Sequence, residues 1–373
     1  MGGSLPLFTV RGISIRMHIT FPLILIWGAI QFGFLAGEGL TGAVFGVIVT
    51  LLLFAIVVLH ELGHSFAALY YGVPVTQIVL MPLGGVAQLG RIPEKPVQEF
   101  VIAIAGPMVN FVLAGLMFLL SLVISLTTSL DTASLLTVDL SFAAIFNYIF
   151  VSNLFLGVFN LLPAFPMDGG RILRALLATR LNYVRATRIA VMIGQGMAWL
   201  FGLWGFLGGG LMLILIAFFV YIGAGQEGQA VQLRHVLGNL TVRQAYSRQA
   251  LTLPPSATLR DAVALTLRSF QADFPICEGE QLLGLLSQSR LLEALNELGP
   301  DVPVVQVMRR DIRPVSPAEE IIAVQERMAE ENLDALPVVE ADRFLGLLTS
   351  RDIGELFRLL STQPDLIRET VRE

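Results

Sequence analysis

The sequence has little cysteine, little histidine and, over its first 225 residues, little charge. One cysteine in 373 residues, Cys277, excludes a disulfide framework and a cysteine-rich zinc module. Charged residues make up 14% of the chain, against about 25% for an ordinary soluble domain. That shortfall excludes a purely soluble enzyme and a disordered chain. A formal net charge of −5 excludes nucleic acid as a partner of a basic surface. The first apolar run begins near His18, is long enough to span a bilayer and lacks a small-residue cleavage site, so no cleavable signal peptide is expected.

What charge there is lies unevenly. Residues 1–225 hold 16 of the 53 charged residues, and 226–373 hold the other 37. The first part reads as membrane and the second as a soluble domain. A spanning helix needs about 20 mostly apolar residues. Six such runs are expected, at about 18–36, 43–71, 100–126, 141–162, 189–206 and 209–225. Six spans put Arg11, Arg16, Arg91, Lys95, Arg171, Arg174, Arg180, Arg185 and Arg188 on one side, and Glu38, Asp131 and Asp139 on the other. The positive-inside rule makes the basic side cytoplasmic, together with both termini and the soluble part. Between spans two and three, alternation over Val75–Leu80 and Val86–Leu89 around Gly84-Gly85 predicts a hairpin. It is either a surface hairpin or one dipping into the membrane against protein.

The second span ends in LFAIVVLHELGHSFAALYYG. His60 and His64, four apart on a helix, share one face and can hold one metal ion. Glu61 lies one residue round, within reach of a water on that metal. This is the zinc-hydrolase arrangement, in which zinc lowers the pKa of its water and the glutamate moves the proton. A catalytic zinc usually has three protein ligands. His235 and Cys277 lie in the soluble part, and His18 begins span one. Asp168, in FNLLPAFPMDGGRILRALL, follows span four on the side where span two ends. It is either a helix N-cap or the third ligand. The shared depth and the need for that ligand favour the metal.

HELGH within an apolar helix, followed about a hundred residues later by NLLPAFPMDGGR, resembles the site-2 protease family of intramembrane zinc metalloproteases. IAGPMVNFVLAG and the PLGGVA loop, Pro82–Ala87, are similar to further signatures of that family. The resemblance covers nearly the whole chain. It implies one catalytic zinc on His60, His64 and Asp168, with Glu61 as base. It also implies a protein substrate in or tethered to the membrane. Asn160 matches the family's asparagine upstream of the aspartate, a donor to the tetrahedral oxyanion or else a helix-end cap. Asn110 is expected to hydrogen-bond between helices. His18 matches a position where many members carry histidine, and its role stays open. There is no room for a PDZ domain between spans.

The soluble part repeats itself at an offset of 62: FPICEGEQLLGLLSQSRLLEAL (274–295) aligns with LPVVEADRFLGLLTSRDIGELF (336–357). Each copy reads as extended segment, helix, two strands, helix. The pattern resembles a pair of cystathionine-β-synthase (CBS) domains, which commonly bind adenine nucleotides such as ATP, ADP or AMP. Thr349 and Asp352 match that family's Thr/Ser-x-x-Asp, hydroxyl to phosphate and carboxylate to ribose; helix capping is the alternative. The first copy has Ser287 but Arg290 in place of the acid. CBS pairs often associate, which would make a homodimer.

The expected fold is a polytopic α-helical membrane protein of about six spans with a cytosolic α/β tandem CBS domain. Its expected parts are 1–225, a transmembrane metalloprotease domain; 226–240, a linker; 241–300 and 301–360, the two CBS domains; and 361–373, a tail. The expected function is proteolysis near the cytoplasmic face of a prokaryotic plasma membrane, regulated by nucleotide at the CBS pair. A metal-ion transporter and an inactive scaffold are the alternatives. Against transport, the spans show no inverted repeat.

Overall fold

A computed structural model describes residues 3–82, 84–90, 95–127, 138, 140–238 and 240–362. Arg91, Asp131, Asp139 and all but the start of the expected tail lie outside the described residues. The chain divides into two units, Met1–Gln229 and Ala230–Glu373.

The first unit opens with β1 (Ser4–Val10) and β2 (Ile13–His18), an antiparallel pair turning at Arg11-Gly12, both at positive φ. A helix follows over Pro22–Leu35, α-helical over Pro22–Ala29 (α1) and π-helical to Leu35. Next come α2 (Gly39–Tyr70), the hairpin β3 (Val75–Met81) and β4 (Gly84–Leu89), and α3 (Pro96–Thr127). The unit closes with α4 (Phe142–Asn160), α5 (Asp168–Ala178), α6 (Tyr183–Trp204) and most of α7 (Leu211–Leu237), whose residues from Ala230 on belong to the second unit. Among the described residues, five helices are long and apolar enough to cross a bilayer: Gly39–Tyr70, Pro96–Val123, Phe142–Asn160, Tyr183–Gly209 and Leu211–Leu237. The first expected span, 18–36, differs. Strand β2 holds its start, and the helix that follows is shorter, about 21 Å at 1.5 Å per residue. Pro22 fits the first helical turn, where its missing N–H costs nothing. Positive φ at Gly37 and Gly39 then breaks the chain before α2. The segment expected as a linker, 226–240, is helical through Leu237.

Strands β1 to β4 make one sheet in chain order, with β2 parallel to β3. Ile13, Ile15, Ile78 and Leu80 pack their buried side chains on Phe54, Val58 and Leu62 of α2. The sheet is thereby held to the last turns of α2, which carry His60, Glu61 and His64. β4 is an edge strand.

In the second unit, copy one has α8 (Leu259–Ser269), β5 (Phe274–Glu278), β6 (Gln281–Leu286) and α9 (Gln288–Leu298). Copy two has α10 (Ile321–Glu331), β7 (Ala335–Glu340), β8 (Arg343–Thr349) and α11 (Ser350–Thr362). Extended segments bridge in parallel, Leu253 to Ile276 and Val315 to Val338. Opening segments are exchanged: Ser247 of the first pairs with Leu347 of the second, and Arg309 before the second pairs with Leu285 of the first. Leu237 and Val242 accordingly sit in the core of copy two, and Val304 and Val307 in that of copy one.

Candidate metal centre

His60 and His64 lie on α2 and Asp168 begins α5; all three are buried. His60 Nε2 is 3.2 Å and His64 Nε2 3.1 Å from Asp168 Oδ2, and the two Nε2 atoms are 3.1 Å apart. Among the described residues this is the group of histidines and acids that could hold a metal ion. Asp168 does not cap its helix. Met167 occupies the cap position, without a side-chain cap bond, and the carboxylate turns to the two imidazoles.

Outer partners orient both rings. His60 Nδ1–H donates to Asn110 Oδ1 at 2.6 Å, and His64 Nδ1–H to the carbonyl of Ile102 at 2.7 Å. With Nδ1 protonated, each Nε2 turns a lone pair on the carboxylate. Asn110 is fixed in turn: its Nδ2 donates to Asn153 Oδ1 at 2.9 Å, and Asn153 Nδ2 donates to the Asn110 carbonyl at 2.9 Å. Two lone pairs and an anionic oxygen about 3 Å apart repel unless a cation sits among them. Zinc bonds near 2.0 Å in tetrahedral geometry put ligand atoms roughly 3.3 Å apart, so the donors fit that ion. Space for the imidazoles depends on Gly106 of α3: a Cβ there would meet His60 Nε2 at 2.7 Å and collide with His64.

Glu61 follows His60 on α2, half-buried. Strand β4 passes against it, since a Cβ at Gly85 would lie 2.7 Å from Glu61 Cγ. Asn160 ends α4 with its Nδ2 donating to the carbonyl of Leu156 at 3.1 Å, within its own helix. His18 stays with its own turn, its Nδ1 2.7 Å from Thr20 Oγ1. Sequence reasoning missed Asn153. A polar residue inside the apolar run of α4 is the signal that points to it.

The second unit contains a cleft of about 1080 Å³ lined by both copies, including Ser287, Arg290, Thr349 and Asp352. Thr349 Oγ1 donates to Asp352 Oδ2 at 2.7 Å and accepts from the Asp352 N–H at 3.1 Å, a cap on α11. Ser287 Oγ accepts from the Arg290 N–H at 3.4 Å, and the Arg290 guanidinium pairs with Glu293. Asp273, also lining the cleft, is held above the usual carboxylate range by burial, opposed by the Gln288 N–H bond and reinforced by the charge of Asp334. Burial pushes the Cys277 thiol up to about 11.

Residues 48–201 match the model of Peptidase family M50, and residues 242–297 and 304–357 each match the CBS domain. Over 98% of this chain and 99% of its own length, a protein named zinc metalloprotease MJ0392, of Methanocaldococcus jannaschii, is 32% identical. The chain belongs to peptidase family M50. A putative zinc metalloprotease of Synechocystis, sll0528, is 30% identical over 85% of this chain and 84% of its own. The solved site-2 protease of Methanocaldococcus jannaschii is 40% identical over 60% of this chain and 95% of its own, with a TM-score of 0.44. This M50 chain is a multi-pass membrane zinc metalloprotease with a tandem CBS pair.

Proposed function

We propose that this M50 protease cuts a transmembrane or membrane-tethered protein near the cytoplasmic face, with His60, His64 and Asp168 as zinc ligands and Glu61 as general base. The observation that carries the reading is the convergence of three buried donor atoms 3.1–3.2 Å apart, two from the apolar helix α2 and one from the start of α5, next to Glu61. When bound, zinc lowers the pKa of a water towards about 7 and polarises a carbonyl. Glu61 takes the proton of the attacking water and delivers it to the amine nitrogen as the C–N bond breaks. A helical substrate hides its carbonyls in its own hydrogen bonds, so it must unwind locally. The outer edge of β4, last in the sheet order and against Glu61, suits an extended segment that adds by main-chain bonds. Asn160 serves as oxyanion donor by exchanging the Leu156 carbonyl for the substrate oxygen.

The second part of the proposal concerns control. Residues 241–300 and 301–360 act as a cytoplasmic pair that takes an adenine nucleotide in its cleft and changes substrate access. Thr349 meets phosphate and Asp352 ribose, with Ser287 as a phosphate contact in the other copy. The side carrying the nine basic residues of 1–225 is the cytoplasmic one.

The test compares wild type with Glu61→Gln in detergent. Zinc by elemental analysis should be near one per chain in both, with cleavage of single-span substrates only in wild type. A loss of 10²-fold or more is expected for removing the proton carrier. Glu61→Gln cleaving at the wild-type rate would end the assignment of the base. Wild type without zinc would end the metal site.

A further inference from the structure

Among the described residues, Arg174 is the largest fully buried side chain, 1% exposed. It lies six residues after Asp168 on α5, about 9 Å further along the helix axis. Its Nε donates to Glu99 Oε1 of α3 at 2.7 Å, and one terminal nitrogen donates to Glu227 Oε1 of α7 at 2.6 Å. Its guanidinium carbon stands 5.0 Å from the ring centre of Phe165 and 4.9 Å from that of Tyr183 on α6. One side chain therefore ties α5 to three helices and to the loop that leads into it.

Two features separate this clasp from ordinary packing. The first is economy. A buried ion cluster is weak evidence for stability, because apolar residues of the same volume often do as well. Here two carboxylates face one guanidinium, and Glu99 Oε2 is buried with no hydrogen-bond partner among the described residues. The second is placement. Phe165 and Arg174 stand on either side of Asp168 in the chain, so their contact closes a bracket around it. Asp168 needs such a bracket: it starts a helix of 11 residues with no side-chain cap, after an irregular turn.

We propose that Arg174 is a positioning residue for Asp168, holding the first turn of α5 so that the carboxylate meets the two imidazoles. Glu99 anchors it to the helix that also carries Asn110 and the Ile102 carbonyl, so all three donors are referred to α3. Glu227, with its side chain 29% exposed, is the accessible arm of the clasp. This rests on the metal reading of His60, His64 and Asp168.

The test uses the full chain in detergent, stripped of metal and titrated with cobalt(II), whose visible absorption reports ligand geometry. The variants are Arg174→Lys, which keeps the charge but loses the fork, and Glu227→Gln. Both should weaken cobalt binding by about tenfold or more, the usual scale for residues behind a ligand, and should shift the visible bands. Thermal unfolding is followed alongside. Variants that unfold earlier yet bind cobalt with wild-type affinity and spectrum would overturn the proposal and leave the clasp purely structural. Should Arg174→Lys not fold, Glu227→Gln alone decides between these outcomes. Wild type that binds no cobalt would overturn the metal reading itself, and with it this inference.

Discussion

Asn110 has two chemically different ends, and only its oxygen can accept the Nδ1–H of His60. Asn153 decides which end faces the histidine by accepting from Asn110 Nδ2, and its own amide is oriented by donating to the Asn110 backbone carbonyl. Replacing Asn153 by Leu leaves the amide free to turn, and an amide nitrogen facing His60 would disfavour the ligand tautomer. The expected result is metal binding weakened by about 10- to 100-fold, measured by competition with a chelator, with Asn153→Asp closer to wild type. A second residue-scale prediction concerns pH. The folded pKa of Asp273 is raised by burial, so protonation favours the folded state. Its contribution is fully present below the unfolded pKa, about 3.9, and is lost as pH rises through the folded value. Asp273→Asn keeps an acceptor for the Gln288 N–H and carries no charge. It should stabilise the second unit at pH 7 to 8, and the gain should vanish near pH 4. Hydrogen exchange over β5 and α9 in the full chain measures this.

Among the elements, α8 and α10 end alike, each with its C-cap residue in the left-handed region: Phe270 at φ 57° and Asn332 at φ 53°. Asparagine adopts that conformation at lower cost than phenylalanine. Phe270 is also 84% exposed, so it gains little from burial. Phe270→Asn should stabilise the second unit by about 1 kcal/mol, read as a higher unfolding temperature. The repeat that makes this comparison possible is legible in the sequence, because identical turns and glycines recur at one offset. His60, Glu61 and His64 are legible for a similar reason: helical spacing alone puts both imidazoles on one face. Strand β1 is not, whereas the alternation of Ile13 and Ile15 with Ser14 and Arg16 does mark β2. β1 is exposed over most of its length and carries a proline, so it shows no alternation between a wet and a buried face. The shortness of α1 is hidden too, since the apolar run continues through the π-helical turn. The Arg174 clasp joins residues 75 and 53 apart in the chain, a pairing that only folding brings about.

Taken as a whole, the molecule combines a charge-poor unit that holds the His60, His64 and Asp168 cluster with a charge-rich unit that holds the cleft. The orientation and the control proposed above share one test. In sealed vesicles with the second unit outward, added ATP or AMP should change the rate at which a co-reconstituted single-span substrate is cut. With the second unit inward, the same addition should do nothing. Equal rates with and without nucleotide in the first case would sink the regulatory role. The exchange of opening segments in that unit bears on its history. Ser247 pairs with Leu347 and Arg309 with Leu285, positions related by the same offset of 62. Each copy thus completes the other, and a single copy would leave one strand without its neighbour. That is the architecture of a two-chain dimer fused into one polypeptide. The two halves keep this exchange while differing at the cleft, where Arg290 of one stands at the position of Asp352 in the other.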